Sequence, residues 1–250
     1  MCKDMKIWVV VPAFNEEKNI PIVVRNLLEY KKQSLHDIEV VVVDDGSSDN
    51  TYKSVKDLSG LHVIRHIINR GQGAALKTGN MYALRNGADW IIHFDADNQH
   101  RIEDFDNFLK HIVQDRYDII LGSRFVVSED RHGFFHNLIS VFLNTEIPPY
   151  RRFILSIGLI INTLFTGIVL TDVHNGLRAI RADVLKNMDL KFDRMAHSSE
   201  YIMEIKRLKL RYKEIRVKVN YTNVDKKSQG FWDGVHILKD LFISKFLKRY

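Results

Sequence analysis

Five short apolar runs, separated by helical segments, dominate the first half of the sequence. They cover residues 6–14, 38–43, 61–67, 90–94 and 117–122. Apolar residues at helical spacing follow the first run and recur before the fourth. Strands that are apolar along their whole length are typical of parallel sheets covered on both faces. The sequence therefore predicts an α/β fold with a mostly parallel sheet flanked by helices.

Polar residues follow four of these runs at the point where each strand is predicted to end. They are Asn15 with Glu16, Asp44 with Asp45, Asp95 with Asp97, and Ser123 with Arg124. Ligands bind beyond the carboxyl ends of the strands in sheets of this kind. Asp and Asn are also ordinary turn residues, but turn chemistry alone hardly explains four polar groups at one rim. We therefore expect a binding site there.

The length of 250 residues suits one large α/β domain. We expect residues 1–230 to form that domain, and an amphipathic helix at residues 231–250 to belong to the same unit. The only cysteine is Cys2, which excludes an intramolecular disulfide. Residues 1–8 carry charges and lead directly into a strand, so they do not resemble a secretory leader. These features predict a cytoplasmic protein.

An uncharged stretch at residues 153–170 separates two polar segments. A membrane-spanning helix needs about 20 mostly apolar residues, whereas this stretch is shorter and contains Ser, Asn, Thr and Gly. We therefore predict a buried or interfacial helix there and not a spanning one. Residues 126–135 and 171–181 are predicted to be loops, residues 197–208 a helix and residues 212–220 a strand.

Positive charge is concentrated at the C-terminal end. Residues 191–250 contain 15 Lys and Arg against 7 Asp and Glu, a balance of +8 within a total of +6. Such an excess suits a solvated helical surface, anionic lipid or a nucleic acid. No nucleic-acid-binding motif is present, so we expect no nucleic acid partner. A solvated surface is the first interpretation, and contact with anionic lipid is the second.

Several short motifs occur in order along the chain. They are Val11-Pro12-Ala13-Phe14-Asn15-Glu16, Val43-Asp44-Asp45-Gly46-Ser47-Ser48, Asn69-Arg70-Gly71, Asp95-Ala96-Asp97-Asn98-Gln99, Gly122-Ser123-Arg124 and Asn175-Gly176-Leu177-Arg178. Together they resemble the family 2 glycosyltransferases, which have the Rossmann-like GT-A fold. The second half resembles the dolichyl-phosphate mannosyltransferase branch and its bacterial relatives that act on polyprenyl phosphates. The resemblance covers about residues 5–230, and the ordered set is specific although each motif alone is weak.

The resemblance implies a nucleotide-sugar donor, linked to GDP or UDP, at the rim of the sheet. The residues implied in donor binding are Pro12, Phe14, Glu16, Asp44, Asp45, Asp95, Ala96 and Lys227. The first three would surround the nucleoside, and either Asp44 or Asp45 would face the base. Lys227 would lie in a basic loop over the diphosphate. From the residues alone, Glu16 is equally well explained as a first-turn acid of a helix.

The same resemblance implies a divalent metal, Mg²⁺ or Mn²⁺, at Asp95, Asp97 and Gln99. These ions prefer oxygen ligands and are often held by few carboxylates together with substrate phosphates. The metal would neutralise charge on the departing nucleoside diphosphate. We expect Asp97 to be the main ligand and His100 to be a surface imidazole.

Arg124, Arg152 and Ser156 resemble the residues that hold the acceptor's phosphate in this branch. A guanidinium suits that role because its planar fork of donors matches phosphate oxygens. A surface charge flanking a helix is the alternative interpretation of Arg152. We assign Arg124 to the catalytic group, together with Asp97 and Glu200.

One residue pair of the wider family is missing. Many relatives that glycosylate a sugar hydroxyl use an Asp as general base in a Glu-Asp pair, whereas residues 197–200 here read His-Ser-Ser-Glu. A phosphate monoester has a second pKa of about 6 and is already largely ionised at neutral pH. The missing base therefore favours a polyprenyl-phosphate acceptor. Glu200 is expected to orient Arg178 or another cation, with a role as base as the alternative.

These inferences predict an inverting glycosyltransferase, peripheral at the cytoplasmic face of a membrane, that transfers a sugar to a polyprenyl phosphate. One alternative has the same fold but a sugar-hydroxyl acceptor in glycan or polysaccharide assembly. Another is a non-catalytic, membrane-associated binding module. We expect contact with the membrane surface through residues 153–170 and 231–250, and either homo-oligomers or a separate membrane subunit.

Overall fold

A computed structural model describes residues 5–126, 156–157, 159–160, 163–164, 166–172, 175–194 and 197–220. The strands are β1 (Lys6–Ala13), β2 (Asp37–Asp44), β3 (His62–Arg65), β4 (Trp90–His93), β5 (Ile119–Ser123), β6 (Arg178–Arg181) and β7 (Tyr212–Arg216). The helices are α1 (Ile20–Gln33), α2 (Thr51–Val55), α3 (Gln72–Arg85), α4 (Asp104–Val113), α5 (Ala182–Leu185) and α6 (His197–Arg207). Within the described residues, the strands form one seven-stranded sheet in the order β3-β2-β1-β4-β6-β5-β7.

Strand pairing is parallel everywhere except around β6. Strand β1 pairs in parallel with β2 and β4, β2 pairs with β3, and β5 pairs with β7. Strand β6 runs antiparallel to both of its neighbours, β4 and β5. The carboxyl ends of β1 to β5 and of β7 therefore lie at one rim. This arrangement confirms the predicted α/β fold with a mostly parallel sheet flanked by helices.

Both faces of the sheet are covered, which explains why the strands are apolar throughout. Ile7, Val9 and Val11 of β1 belong to the core cluster that includes apolar residues of α1 and α4. Trp8 and Val10 belong to the cluster that includes residues of α3 and α6. Alternate residues of one strand thus enter two separate cores, and no face is left for polar side chains.

The segment after residue 171 differs from the prediction. The sequence predicts a loop over residues 171–181, but Arg178–Arg181 is a strand inserted between β4 and β5. Ala179 and Ile180 are wholly buried, and Arg178 is buried with them. The arginines at its two ends concealed this strand, because an arginine as buried as Arg178 is rare. Helices α2 and α4 also lie in stretches for which no element is predicted.

The helix predicted at residues 153–170 is described only in part. Its described helical residues are 156–157, 159–160, 163–164 and 166. Residues 167–170 are not helical. In the part of the chain that the structure describes, no helix is both long and apolar enough to cross a membrane. The predictions for residues 127–135 and for the helix at 231–250 lie outside the described residues.

Candidate functional site

A cavity of about 360 Å³ lies at the rim where β1, β2 and β4 end. This volume falls within the range of about 300–1,000 Å³ that is typical of small-molecule sites. Residues that line it as predicted are Pro12, Phe14, Glu16, Asp45, Asp95, Ala96 and Asp97. Residues that line it without having been predicted are Ala13, Asn69, Gln72 and Ala75. The rim motifs of three strands thus form one concave site.

The turn after β1 is tied to the turn after β2. Asn15 has a φ of 55°, a left-handed conformation that Asn tolerates better than most residues. Its backbone N–H donates to Ser47 Oγ at 2.9 Å, and the N–H of Glu16 donates to Thr51 Oγ1 at 2.7 Å. Burial raises the pKa of Glu16, and a hydrogen bond from Asn19 Nδ2 at 2.8 Å opposes that shift. The Glu16 side chain is thereby held at the cavity wall.

Asp45 lines the cavity and also anchors the loop after β3. Its Oδ1 lies 2.6 Å from His66 Nδ1 and accepts a hydrogen bond from the Arg70 N–H at 3.0 Å. Its Oδ2 accepts a hydrogen bond from the Gly71 N–H at 2.6 Å. One carboxylate therefore fixes the loop that brings Asn69 to the cavity.

Asp44 does not line the cavity. Its side chain is wholly buried, with Oδ2 3.0 Å from Arg65 Nε and Oδ1 accepting a hydrogen bond from the Ser47 N–H at 3.2 Å. Of the two carboxylates that the sequence offers for contact with a base, only Asp45 reaches the cavity wall. Asp44 instead stabilises the turn after β2 from its buried side.

Asp95 lies at the end of β4 with polar groups on two sides. Gln72 Nε2 donates to Oδ1 at 3.0 Å, and His100 Nε2 lies 3.2 Å from Oδ2. Burial opposes ionisation of this carboxyl. The hydrogen bond and charge of His100, followed by the charge of Arg178, nevertheless lower its pKa. The carboxylate form of Asp95 is therefore stabilised at the cavity.

Asp97 stands beside this carboxylate. Burial, followed by the negative charge of Asp95, raises the pKa of Asp97 to about 6. Its Oδ1 accepts a hydrogen bond from the Gln99 N–H at 3.0 Å, across Asn98, which has a φ of 59°. Two carboxyl groups that repel each other form an environment that favours a bound cation.

The oxygen donors at this rim fit a divalent metal ion that is shared with a substrate. Asp95 and Asp97 supply carboxylates, the ligands that Mg²⁺ and Mn²⁺ prefer. Among the described residues, no group of three or more His, Cys, Asp or Glu is placed to hold an ion. Gln99, the third predicted ligand, does not line the cavity. An ion held by two carboxylates would need further oxygens, and substrate phosphates commonly supply them.

His100 is not the surface imidazole that the sequence predicts. It is only 9% exposed, and its ring centroid lies 5.8 Å from that of Phe94. An isolated antiparallel bridge joins it to Val219, beyond the end of β7. Pairing with a distant part of the chain therefore buries a residue whose sequence neighbours are polar.

Arg124 follows β5 and is clamped by Asp172. Its Nε donates to Asp172 Oδ2 at 2.6 Å, its Nη2 donates to Oδ1 at 2.8 Å, and its backbone N–H donates to Oδ2 at 3.1 Å. Asp172 thus occupies one edge of the guanidinium and sets the plane of its fork. The predicted partners Arg152 and Lys227 lie outside the described residues, whereas Ser156 is buried in a helical stretch.

Behind this clamp lies Glu214 of β7, which belongs to none of the sequence motifs. Its Oε1 accepts hydrogen bonds from the Thr171 N–H and Oγ1, both at 2.8 Å, and from the Asp172 N–H at 3.2 Å. Thr171 Oγ1 lies 2.5 Å from Ser123 Oγ. Burial raises the pKa of Glu214 to about 7. The only sequence signal for this residue is a carboxylate in the middle of a strand.

Glu200 is wholly buried and does not line the cavity. Its carboxylate accepts hydrogen bonds from the N–H groups of Lys191 and Phe192, at 2.6 and 3.0 Å. Its described hydrogen bonds do not join it to Arg178, the first of the cations that it is expected to orient. The described bonds of Arg178 go to two carbonyl oxygens and to Ser198 Oγ, and its guanidinium stacks over a tyrosine ring. Glu200 therefore holds backbone and lies away from the cavity.

The segment that Glu200 holds packs against the start of α3. A Cβ atom at Gly71 would lie 2.4 Å from the carbonyl oxygen of Asp193, and one at Gly73 would lie 2.4 Å from that of Phe192. Only glycine allows this approach. Glu200 therefore fixes the backbone against which the start of α3 packs.

Comparison with known proteins gives a consistent result. Residues 8–189 match the sequence profile of Glycosyl transferase family 2. An uncharacterised protein of Methanocaldococcus jannaschii is 38% identical over 244 residues, covering 96% of this chain and 92% of that protein. The UDP-N-acetylglucosamine–dolichyl-phosphate N-acetylglucosaminyltransferase of Methanococcus voltae is 32% identical over 238 residues, covering 88% of this chain and 87% of that protein.

A likeness to solved structures concerns the fold. The glucosyl-3-phosphoglycerate synthase of Mycobacterium tuberculosis, crystallised in complex with UDP, superposes with a TM-score of 0.65 at 18% identity. The match covers 95% of this chain and 79% of that structure. This chain therefore shares its overall fold with a solved structure.

Proposed function

Because this chain belongs to glycosyl transferase family 2, we propose that it transfers a sugar from a nucleotide sugar to a polyprenyl phosphate. Its membership confirms the resemblance seen in the motifs. The observation that carries the proposal is the pairing of Asp95 and Asp97 at a cavity whose other walls come from the ends of β1 and β2. The M. voltae relative, named for transfer to dolichyl phosphate, supports the choice of acceptor.

The donor would occupy the cavity at the rim. Pro12, Phe14 and Asp45 line the part contributed by β1 and β2 and would receive the nucleoside. A uridine donor is supported by the name of the M. voltae relative and by the UDP of the structure with similar fold. A transfer assay should therefore compare UDP-linked with GDP-linked sugars.

A divalent ion, Mg²⁺ or Mn²⁺, would be held by Asp97 and Asp95. When bound, it would neutralise charge on the departing nucleoside diphosphate. A structure of similar fold was crystallised with Mn²⁺ and UDP, which supports this part of the proposal. Gln72 and His100 hold the carboxylate of Asp95 in place.

The acceptor would bind through Arg124. The plane of its guanidinium is set by Asp172, and a fixed guanidinium suits phosphate oxygens. A phosphate monoester is largely ionised at neutral pH, with a second pKa of about 6, so its oxygen needs placement more than deprotonation. The position of Glu200 outside the cavity supports this acceptor over a sugar hydroxyl, because the candidate base of the sequence analysis does not reach the site.

A transfer assay tests the proposal. The full chain is incubated with Mn²⁺, a polyprenyl phosphate in detergent micelles and labelled UDP-N-acetylglucosamine, UDP-glucose or GDP-mannose. We expect label in the organic phase from at least one donor. Mild acid should release this label, as expected for a glycosyl phosphate. Label that appears only in a water-soluble glycan acceptor would support the sugar-hydroxyl alternative. No transfer from any donor to either acceptor would refute catalysis and favour a binding module.

A further inference from the structure

Two short described segments that precede β6 contact the candidate site. Thr171 and Asp172 contact the end of β5 through Ser123 and Arg124. The backbone of Gly176 lies against the carboxylate of Asp95. None of these four residues, Thr171, Asp172, Asn175 and Gly176, lines the cavity.

Glu214 of β7 holds Thr171 and Asp172 in place. One carboxylate oxygen accepts three hydrogen bonds, from both donors of Thr171 and from the Asp172 N–H. The second oxygen lies 3.0 Å from the Thr171 nitrogen. A carboxylate with several donors on adjacent residues fixes their backbone more firmly than a single hydrogen bond does.

Asp172 in turn fixes the position of Arg124. Its two oxygens take Nε and Nη2 of the guanidinium, and Oδ2 also accepts the Arg124 backbone N–H. The three contacts fix both the backbone and the fork of Arg124 relative to Asp172. A shift of Asp172 would therefore rotate or translate the guanidinium with it.

We propose that Glu214 is a positioning residue for the acceptor site, acting through Asp172 on Arg124. It does not touch the acceptor itself. The inference rests on the proposed function, because it assumes that Arg124 receives the acceptor's phosphate. A displacement of about 1 Å in a binding group can lower turnover by about a hundredfold, so a residue behind the guanidinium can affect the reaction strongly.

The kinetic test uses Glu214→Ala and Glu214→Gln. For Glu214→Ala we expect the KM for polyprenyl phosphate to rise by about tenfold to a hundredfold, with the KM for the nucleotide sugar within about twofold of the parent. Glutamine keeps an acceptor oxygen for Thr171, so Glu214→Gln should restore most of the acceptor affinity. An equal rise in both KM values, or no rise in the acceptor KM, would overturn the proposal.

Asp118→Ala is the matched control. Asp118 precedes β5 and accepts hydrogen bonds from the Arg211 N–H at 2.8 Å and Nη2 at 2.8 Å, at the opposite end of the same two strands. Its loss removes a similar carboxylate clamp far from the rim. We expect this variant to lose stability while both KM values stay close to those of the parent, and an acceptor KM raised as much as in Glu214→Ala would contradict the proposal.

A spectroscopic readout separates this inference from the proposed function. The Nε–Hε group of Arg124, bonded to Asp172 at 2.6 Å, should give a slowly exchanging NMR signal that Arg124→Lys identifies by its absence. Loss of this signal in Glu214→Ala and its retention in Asp118→Ala would support the positioning role. If the parent transfers no sugar to any lipid phosphate, the proposed function fails. A signal that survives Glu214→Ala overturns the positioning role whatever the transfer assay shows.

Discussion

The backbone of Gly176 lies so close to the carboxylate of Asp95 that no side chain fits between them. A Cβ atom at position 176 would lie 2.1 Å from Asp95 Oδ2, far inside the contact distance of two such atoms. The backbone of Gly176 therefore sets how far the Asp95 side chain can move away from the cavity. Position 176 therefore requires a glycine because the carboxylate of Asp95, 81 positions earlier in the chain, lies against it.

Gly176→Ala should displace Asp95 and weaken donor use. We expect kcat/KM for the nucleotide sugar to fall by about a hundredfold, with weaker nucleotide binding in the presence of Mn²⁺, measured by calorimetry. Gly87→Ala is the control, because Gly87 has a φ of 78° but nothing within 4 Å of an added Cβ. That variant should lose about 1 kcal/mol of stability and keep its kinetics. Unchanged kinetics in Gly176→Ala would contradict the role given to this contact.

Asp97→Asn should remove metal-dependent turnover. The substitution keeps the size of the side chain but deletes one of the two carboxylates that would hold the ion, so we expect turnover to fall by at least about a hundredfold. Transfer rates at increasing Mn²⁺ concentration measure the effect. Asp115→Asn, at a side chain that is 74% exposed, is the control for loss of charge alone. Parental activity in Asp97→Asn would refute the metal site.

Glu200→Gln should destabilise the protein without abolishing turnover. Only one oxygen of the new amide can accept, whereas Glu200 receives two backbone N–H groups. One buried donor is then left facing an NH₂ group, which costs about 1–3 kcal/mol. Urea denaturation and the turnover of the folded fraction are the measurements. Near-total loss of turnover with normal stability and donor binding would instead identify Glu200 as a general base and favour a hydroxyl acceptor.

Glu214 should make stability depend on pH. Burial raises its pKa from 4.5 to about 7, so between these values the folded protein keeps a proton that the unfolded chain releases. This stabilising contribution is complete below pH 4.5 and is lost as pH rises through about 7. Glu214→Gln cannot titrate, so it should gain about 1–3 kcal/mol relative to the parent between pH 5 and pH 8. Urea denaturation at both pH values measures this difference, and an equal difference at both would contradict the shift.

The sequence predicted the features that depend on local chemistry. Apolar runs identified the parallel strands because both faces of the sheet bury every residue of a run such as 9–11. Turn-forming acids and amides marked the strand ends, and seven of the predicted residues line the cavity. The sequence does not predict the short strand β6, because arginines stand at both of its ends and the burial of Arg178 depends on the neighbouring strands.

Only the tertiary structure decided how the polar residues are divided between binding and support. Asp44 and Asp45 are adjacent residues of the same type. Asp45 nevertheless lines the cavity, whereas Asp44 is buried under the turn and paired with Arg65. His100 is buried because it pairs with Val219, and Glu214 accepts a hydrogen bond from Thr171, 43 positions earlier in the chain. Such contacts join residues that are remote in sequence, and no local pattern encodes them. The sequence by itself therefore determined where the strands end and that polar residues gather there, whereas packing between distant segments determined which of these side chains line the cavity.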